Sequence, residues 1–178
     1  MLKVAINGFG RIGRNILRAW LQNNHPSINI VAINDLCSVE TLAHLLKYDS
    51  VHGRLDVPVR TEGQSLYVGD HVIQVSHERN PADCPWEALS IDMVFESTGL
   101  FASKEAASSH LNAGAKKVLI SAPGGSDVDA TIVYGVNHDV LTPEMTVVSN
   151  ASCTTNCLAP LLAPIQQSFG IEQGLMTT

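Results

Sequence analysis

A chain of 178 residues can bury roughly 70% of the surface its unfolded form exposes, so one domain, or one domain and part of another, is the expected scale. With 45% hydrophobic and 16% charged residues, it is neither disordered nor fibrous in composition. A net charge of −6, with acidic and basic residues mixed along the sequence, gives no footing for nucleic acid or an anionic membrane as partner.

No apolar run approaches the 18 or so residues of a membrane span, and the opening Met1 to Ile6 is interrupted at once by Asn7 and Gly8, unlike a signal peptide. Four cysteines, Cys37, Cys84, Cys153 and Cys157, are few for a disulfide scaffold and fit a reducing, cytosolic setting. Cys153 and Cys157 have no second pair or nearby histidine to complete a tetrahedral set, so no metal is expected.

In chain order, Leu2 to Asn7 is a short apolar strand, and Ile12 to Leu21 carries apolar residues at helical spacing. Ile28 to Ile33 is a second, β-branched strand, followed by Asn34-Asp35 and a helical stretch from Val39 to Lys47. Between Leu55 and Val75 the pattern shifts to short alternating segments, Asp56 to Arg60, Ser65 to Val68 and Val72 to Val75, which predicts antiparallel strands inserted on a parallel core. Further strands are predicted at Ile91 to Glu96, Lys117 to Ser121, Thr131 to Val136 and Thr146 to Ser149, with a helix from Lys104 to Ala113. A last helix is predicted from near Ser152 to Phe169, where Pro160 and Pro164 imply a kink or a late start and Gly170 a stop. Ile171 to Thr178 reads as the start of another strand. The alternation argues for a doubly wound α/β domain.

Gly8-Phe9-Gly10-Arg11-Ile12-Gly13 matches G-x-G-x-x-G directly after a strand and at a helix start. In such a turn the first glycine permits tight bending, the second lets backbone approach a pyrophosphate, and the third lets helix and strand pack closely. Glycines in any strand-to-helix turn can match this pattern, but the next strand ends at Asp35, twenty-two residues after Gly13. A carboxylate there accepts hydrogen bonds from the adenosine ribose and repels a 2′-phosphate, which favours NAD over NADP in a Rossmann-like fold. The competing role for Asp35 is to cap the helix near Val39.

Ser149 to Cys157 follows a strand and precedes an apolar helix, which puts Cys153 in the first turn. Free amides and the positive end of the dipole favour a nucleophilic thiolate there, whereas the bland alternative is a buried structural cysteine. Cys157, one turn further in, reads as a core residue. Ser152 and Thr154 either donate to phosphate oxygens near the helix start or cap the helix. A thiol nucleophile beside a nicotinamide cofactor suits aldehyde oxidation through a thioester.

Asn7-Gly8-Phe9-Gly10-Arg11-Ile12-Gly13-Arg14 and Ser149 to Cys157 resemble the two signature stretches of glyceraldehyde-3-phosphate dehydrogenases. The resemblance extends through Ala32 to Asp35, His44 to Ser50, Ser97 to Gly99, Gly114 to Val118 and Tyr134 to Asn137, and so spans essentially the whole chain. It implies an NAD-binding domain over residues 1–150 and the start of a truncated catalytic domain over residues 151–178. It also implies Cys153 as nucleophile, with Ser152 and Thr154 beside it at a sugar-phosphate or inorganic phosphate site. NAD contacts are implied for Arg11, Ile12, Asp35, Arg79, Thr98, Gly99 and Ser121, in a cytoplasmic homotetramer. In the family a Thr-Thr pair like Thr177-Thr178 is followed by the histidine that activates the thiol. None of the seven histidines here sits in that context, so all are expected to be surface or structural and the 178 residues alone are expected not to turn over.

Erythrose-4-phosphate dehydrogenase resembles the chain equally in the glycine turn, the cysteine helix and Asp129 to Tyr134. Asp35, where that rival often carries glutamate, leans toward the glyceraldehyde enzyme. A noncatalytic NAD-binding module is the reading from another class, and an intact Cys153 with its hydroxyl neighbours argues against it.

Overall fold

The computed structural model describes residues 1–23 and 25–178. Eleven strands and five α-helices are formed among the described residues. The first half contains β1 (Leu2–Asn7), α1 (Arg11–Asn23), β2 (Ile28–Asn34), α2 (Val39–Lys47), the small pair β3 (Tyr48–Asp49) and β4 (Gly53–Arg54), and then β5 (Val59–Glu62), β6 (Ser65–Val68) and β7 (His71–Ser76). The second half contains α3 (Trp86–Leu89), β8 (Met93–Glu96), α4 (Lys104–Asn112), β9 (Lys117–Ile120), β10 (Ala130–Thr131), β11 (Val147–Ser149) and α5 (Cys153–Phe169).

Nine strands form one sheet in the order β10-β11-β9-β8-β1-β2-β7-β6-β5. From β10 through β7 every pairing is parallel, and only the β5-β6-β7 meander at one edge is antiparallel. The chain leaves β1 toward β2 on one side and later returns to lay β8 on the other. That reversal makes a switch point at the carboxyl end of β1, where open α/β sheets bind ligands.

Successive side chains of a strand face opposite sides, and β1 is buried on both. Val4 and Ile6 pack with Leu17 of α1 and Leu42 and Leu46 of α2. Ala5 faces Trp86, Ile91 and Ala113 on the other side. Arg18, buried within the first layer, donates to the Leu46 carbonyl at 2.6 Å and the Gly53 carbonyl at 3.0 Å. The guanidinium thereby satisfies a carbonyl at the end of α2, where the helix dipole favours a cation.

The first two strands, α2, β6 and β7 are where the spacing predicts them, but several expectations need correction. The first meander strand runs Val59–Glu62 instead of Asp56 to Arg60, because Pro58 has no N–H for the ladder and the tight turn at Gly63 (φ 56°) pairs Glu62 with Ser65. The predicted strand from Thr131 to Val136 ends at Thr131. The Asn137 side chain takes the Val133 N–H at 2.8 Å and donates to the Thr131 carbonyl at 3.0 Å, closing a turn in place of a ladder. Among the described residues, Ile171 to Thr178 forms no strand. α5 begins at Cys153 and runs unbroken through Pro160 and Pro164, so the late start does not occur. Cys157, expected in the core, is exposed among the described residues.

Candidate functional site

The glycine turn joins the carboxyl end of β1 to α1, and its three glycines do three different things. Gly8 has φ 87°, and a Cβ there would stand 2.7 Å from the Thr98 nitrogen. At Gly13 a Cβ would meet the Gly8 carbonyl oxygen at 2.2 Å, so the helix approaches the turn closely only because that position is bare. A Cβ on Gly10 would meet nothing within 4 Å: the space in front of it is open. No acidic side chain lies in the first turn of α1, which leaves its positive end available to an anion.

Asp35 follows β2 and reaches back to this turn, accepting the Phe9 N–H at 2.7 Å and the Cys37 N–H at 2.9 Å. The N-cap of α2 is Ser38, whose hydroxyl accepts the Thr41 N–H, so Asp35 has no capping duty. Its carboxylate holds the neighbouring Cys37 thiol above the ordinary range, by hydrogen bond first and by charge second.

These loops enclose a cleft of about 300 Å³ whose walls include Gly8, Gly10, Asp35, Arg79, Ser97 and Thr98. Asn7, Asn34, Leu36, Glu78, Leu100 and Phe101 complete it. The Ser97 hydroxyl is buried without a hydrogen-bond partner. An open approach to a glycine turn, a bare helix start, an acceptor at the second strand end and an unpartnered hydroxyl are the features a dinucleotide needs, and the residues present fit one. Arg11 and Ile12 start α1 outside the cleft lining. The Arg11 guanidinium instead pairs with Asp49 at 3.0 Å. Asp49 is held far below the usual carboxylate range, chiefly by the His52 and Val51 N–H groups and then by Arg11. Gly99 supplies the left-handed turn (φ 76°) after Thr98. Ser121 lies apart from the cleft, in a pocket of about 200 Å³ with Ile16, Phe95, Leu119 and Asn150.

Asn7 and Asn34 in the cleft lining, and Glu96 behind it, carry no role that the sequence alone assigns. Each is the last residue of a parallel strand and is at most 3% exposed. A polar residue closing an otherwise apolar strand is the signal that marks them.

At the far side of the parallel sheet, β11 leads into Cys153. Ser149, fully buried, donates its hydroxyl to the Ala122 carbonyl at 2.7 Å and accepts the Gly124 and Ala151 N–H groups at 2.9 and 3.0 Å. Ala151 then takes a left-handed φ of 59°, a strained conformation for a residue with a Cβ. Ser152 caps α5, its hydroxyl accepting the Thr155 N–H at 2.9 Å, so capping is the role visible for that side chain. Cys153 is the first residue of the helix and is exposed; Thr154 reaches the Thr178 hydroxyl at 3.3 Å. No histidine among the described residues hydrogen-bonds to Cys153. Cys84 is a contrast: burial, with the carboxylates of Glu78, Asp83 and Glu96 adding, pushes its thiol up to about 12.

The model of the glyceraldehyde 3-phosphate dehydrogenase NAD binding domain matches residues 2–104. The chain belongs to the glyceraldehyde 3-phosphate dehydrogenase family. The C-terminal domain model of the same family matches residues 152–178. The chromosomal and plasmid glyceraldehyde-3-phosphate dehydrogenases of Cupriavidus necator are 60% and 59% identical to it, over 99% of this chain and 53% of each relative. The glyceraldehyde-3-phosphate dehydrogenase of Xanthobacter flavus is 55% identical, over 99% of this chain and 52% of that protein. The chain thus spans about half the length of the curated relatives it matches. Residues 2–104 thus match the family's NAD binding domain, and NAD is the cofactor.

Proposed function

We propose that the protein to which this chain contributes oxidises glyceraldehyde 3-phosphate with NAD and inorganic phosphate to 1,3-bisphosphoglycerate. Residues 1–150 act as the NAD-binding domain and residues 151–178 open the catalytic one. The observation that carries this reading is topological. β11, β9, β8, β1, β2 and β7 run parallel, so the turn presenting Cys153 and the glycine-turn cleft open at the same edge of one sheet.

The Gly8 to Gly13 turn and the start of α1, through Arg11 and Ile12 backbone, hold the pyrophosphate, and Asp35 accepts from the adenosine ribose. Arg79 and Thr98 hold the cofactor along the cleft wall, Gly99 turns the loop after Thr98, and Ser121 meets the cofactor beyond the cleft. NAD, when bound, supplies the hydride acceptor. Cys153 Sγ bonds to the aldehyde carbon and, once that carbon is oxidised, holds the acyl group as a thioester. An oxygen of inorganic phosphate then attacks the acyl carbon and the thiolate leaves. Ser152 and Thr154, at the positive end of α5, steady phosphate oxygens beside the sulfur. The proton that moves during thiolate addition needs an acid and base outside this chain, so the 178 residues alone are proposed not to turn over.

The test is steady-state NADH formation by the full-length protein with glyceraldehyde 3-phosphate or erythrose 4-phosphate, with and without phosphate. Phosphate-dependent reduction of NAD that prefers the three-carbon aldehyde, and its loss in Cys153→Ser, is the expected result. Preference for the four-carbon aldehyde with no phosphate requirement would overturn it.

A further inference from the structure

Behind the cleft lies a buried polar network whose hydrogen-bond directions are fully determined. The Trp86 indole, which can only donate, gives its N–H to His110 Nδ1 at 2.9 Å. The ring proton must therefore sit on Nε2, which faces a Glu96 carboxylate oxygen at 2.9 Å. From the opposite side, the Glu78 backbone N–H donates to Asn34 Oδ1 at 2.8 Å, which fixes that amide. Asn34 Nδ2 then donates to Asn7 Oδ1 at 2.8 Å, so Asn7 must turn its own NH₂ toward the same Glu96 oxygen, at 2.6 Å. The other Glu96 oxygen accepts the Thr98 backbone N–H at 2.8 Å and the Thr98 hydroxyl. That hydroxyl in turn accepts the Leu100 N–H at 3.0 Å.

Four donors thus converge on one carboxylate that is 1% exposed, and a carboxylate has the lone pairs to accept them all. Asn7 and Asn34 stand on one wall of the cleft and Thr98 and Leu100 on the other. Glu96 itself does not line it. We infer that Glu96 is a positioning residue for the cofactor, tying the two walls of the NAD cleft to each other and, through His110, to the Trp86 layer beneath. This rests on the NAD reading of the cleft. An isosteric glutamine cannot substitute. Whichever way its amide turns, its NH₂ confronts either the Asn7 and His110 donors or the Thr98 backbone N–H.

The experiment compares NAD affinity and steady-state kinetics of the full-length wild type, Glu96→Gln and Leu66→Ala, the last a core change in the β6 layer far from the network. For Glu96→Gln the NAD dissociation constant should rise about tenfold or more, the scale of one lost charge-assisted hydrogen bond. Its kcat at saturating NAD should stay within about threefold, since the nucleophile is untouched. Leu66→Ala should lose thermal stability and keep its NAD affinity. If Glu96→Gln does not fold, His110→Leu decides, because it removes one of the four donors and leaves the cleft walls in place: a severalfold weaker NAD complex is expected. Unchanged NAD affinity in the variant that folds, with wild type binding normally, overturns the positioning role. Failure of the wild type to bind NAD would instead overturn the functional reading.

Discussion

Alanine at Gly10 and alanine at Gly13 separate what the glycine turn does for the ligand from what it does for the fold. On Gly13 the new Cβ would lie 2.2 Å from the Gly8 carbonyl oxygen and 3.0 Å from Ile6 Cγ2. The first is about 1 Å or more inside ordinary contact and the second a few tenths of an ångström, and both partners are buried backbone or core, so relief requires α1 to shift. The cost should reach about 3 kcal/mol, the upper end of ordinary overpacking. At about 2–4 °C per kcal/mol for a domain of this size, the thermal midpoint should fall by about 6–12 °C. On Gly10 the Cβ meets nothing. Alanine there restricts the unfolded chain, which stabilises, and is a poorer start for α1, which destabilises; the two are each about 0.5–1 kcal/mol and offset. The midpoint should therefore move by less than about 2 °C, while a methyl group in the path of the pyrophosphate weakens NAD about tenfold, or about 1.4 kcal/mol. Differential scanning fluorimetry and titration calorimetry on the two full-length variants measure both quantities. Undiminished NAD binding by Gly10→Ala, or an unchanged midpoint for Gly13→Ala, would refute the division of labour.

Asp35→Asn removes the charge that would oppose a 2′-phosphate but keeps an oxygen for the Phe9 N–H, so the preference for NAD over NADP should shrink by about tenfold, read as a ratio of dissociation constants; an unchanged ratio would show that Asp35 does not meet the ribose. Asp129 is held well below the usual carboxylate range by Lys104, whose Nζ lies 2.5 Å away, and by the Val147 and Thr146 N–H groups. Because the folded-state value is the depressed one, its stabilisation is complete above the unfolded value near about 3.9 and is lost as pH falls below that. Asp129→Asn should consequently cost about 1–3 kcal/mol in denaturant melts at neutral pH, with the difference from wild type narrowing progressively as pH falls below about 3.9; a difference that stays constant with pH would point to packing instead. Alkylation of the native chain followed by mass analysis should label exposed Cys153 ahead of Cys37, whose thiol the Asp35 carboxylate disfavours from ionising. Cys84, buried and pushed up to about 12, should react only after denaturation, and early labelling there would contradict its place in the core.

What the sequence determined by itself was local. Helix spacing from Val39 to Lys47, the β-branched run of β2, the glycine positions and the strand-to-helix step into Cys153 depend on φ preferences, side-chain period and capping within a few residues. Those signals also placed Gly8, Gly10 and Asp35 as candidates, the family resemblance added Arg79 and Thr98, and the fold gathers these five around one cleft. The tertiary structure decided whatever needed a partner distant in sequence. Asn7 meets Glu96 across 89 residues and Asn34 across 27, and such pairs leave no periodic trace. The same dependence explains the corrections: a strand needs an adjacent edge and a core cysteine a covering layer, and the described residues supply neither to Ile171 to Thr178 nor to Cys157. Thr131 to Val136 had the composition of a strand, but the Asn137 side chain competed for its backbone. Propensity proposes elements from near neighbours, whereas hydrogen-bond partners and burial are settled only when the sheet brings remote segments together.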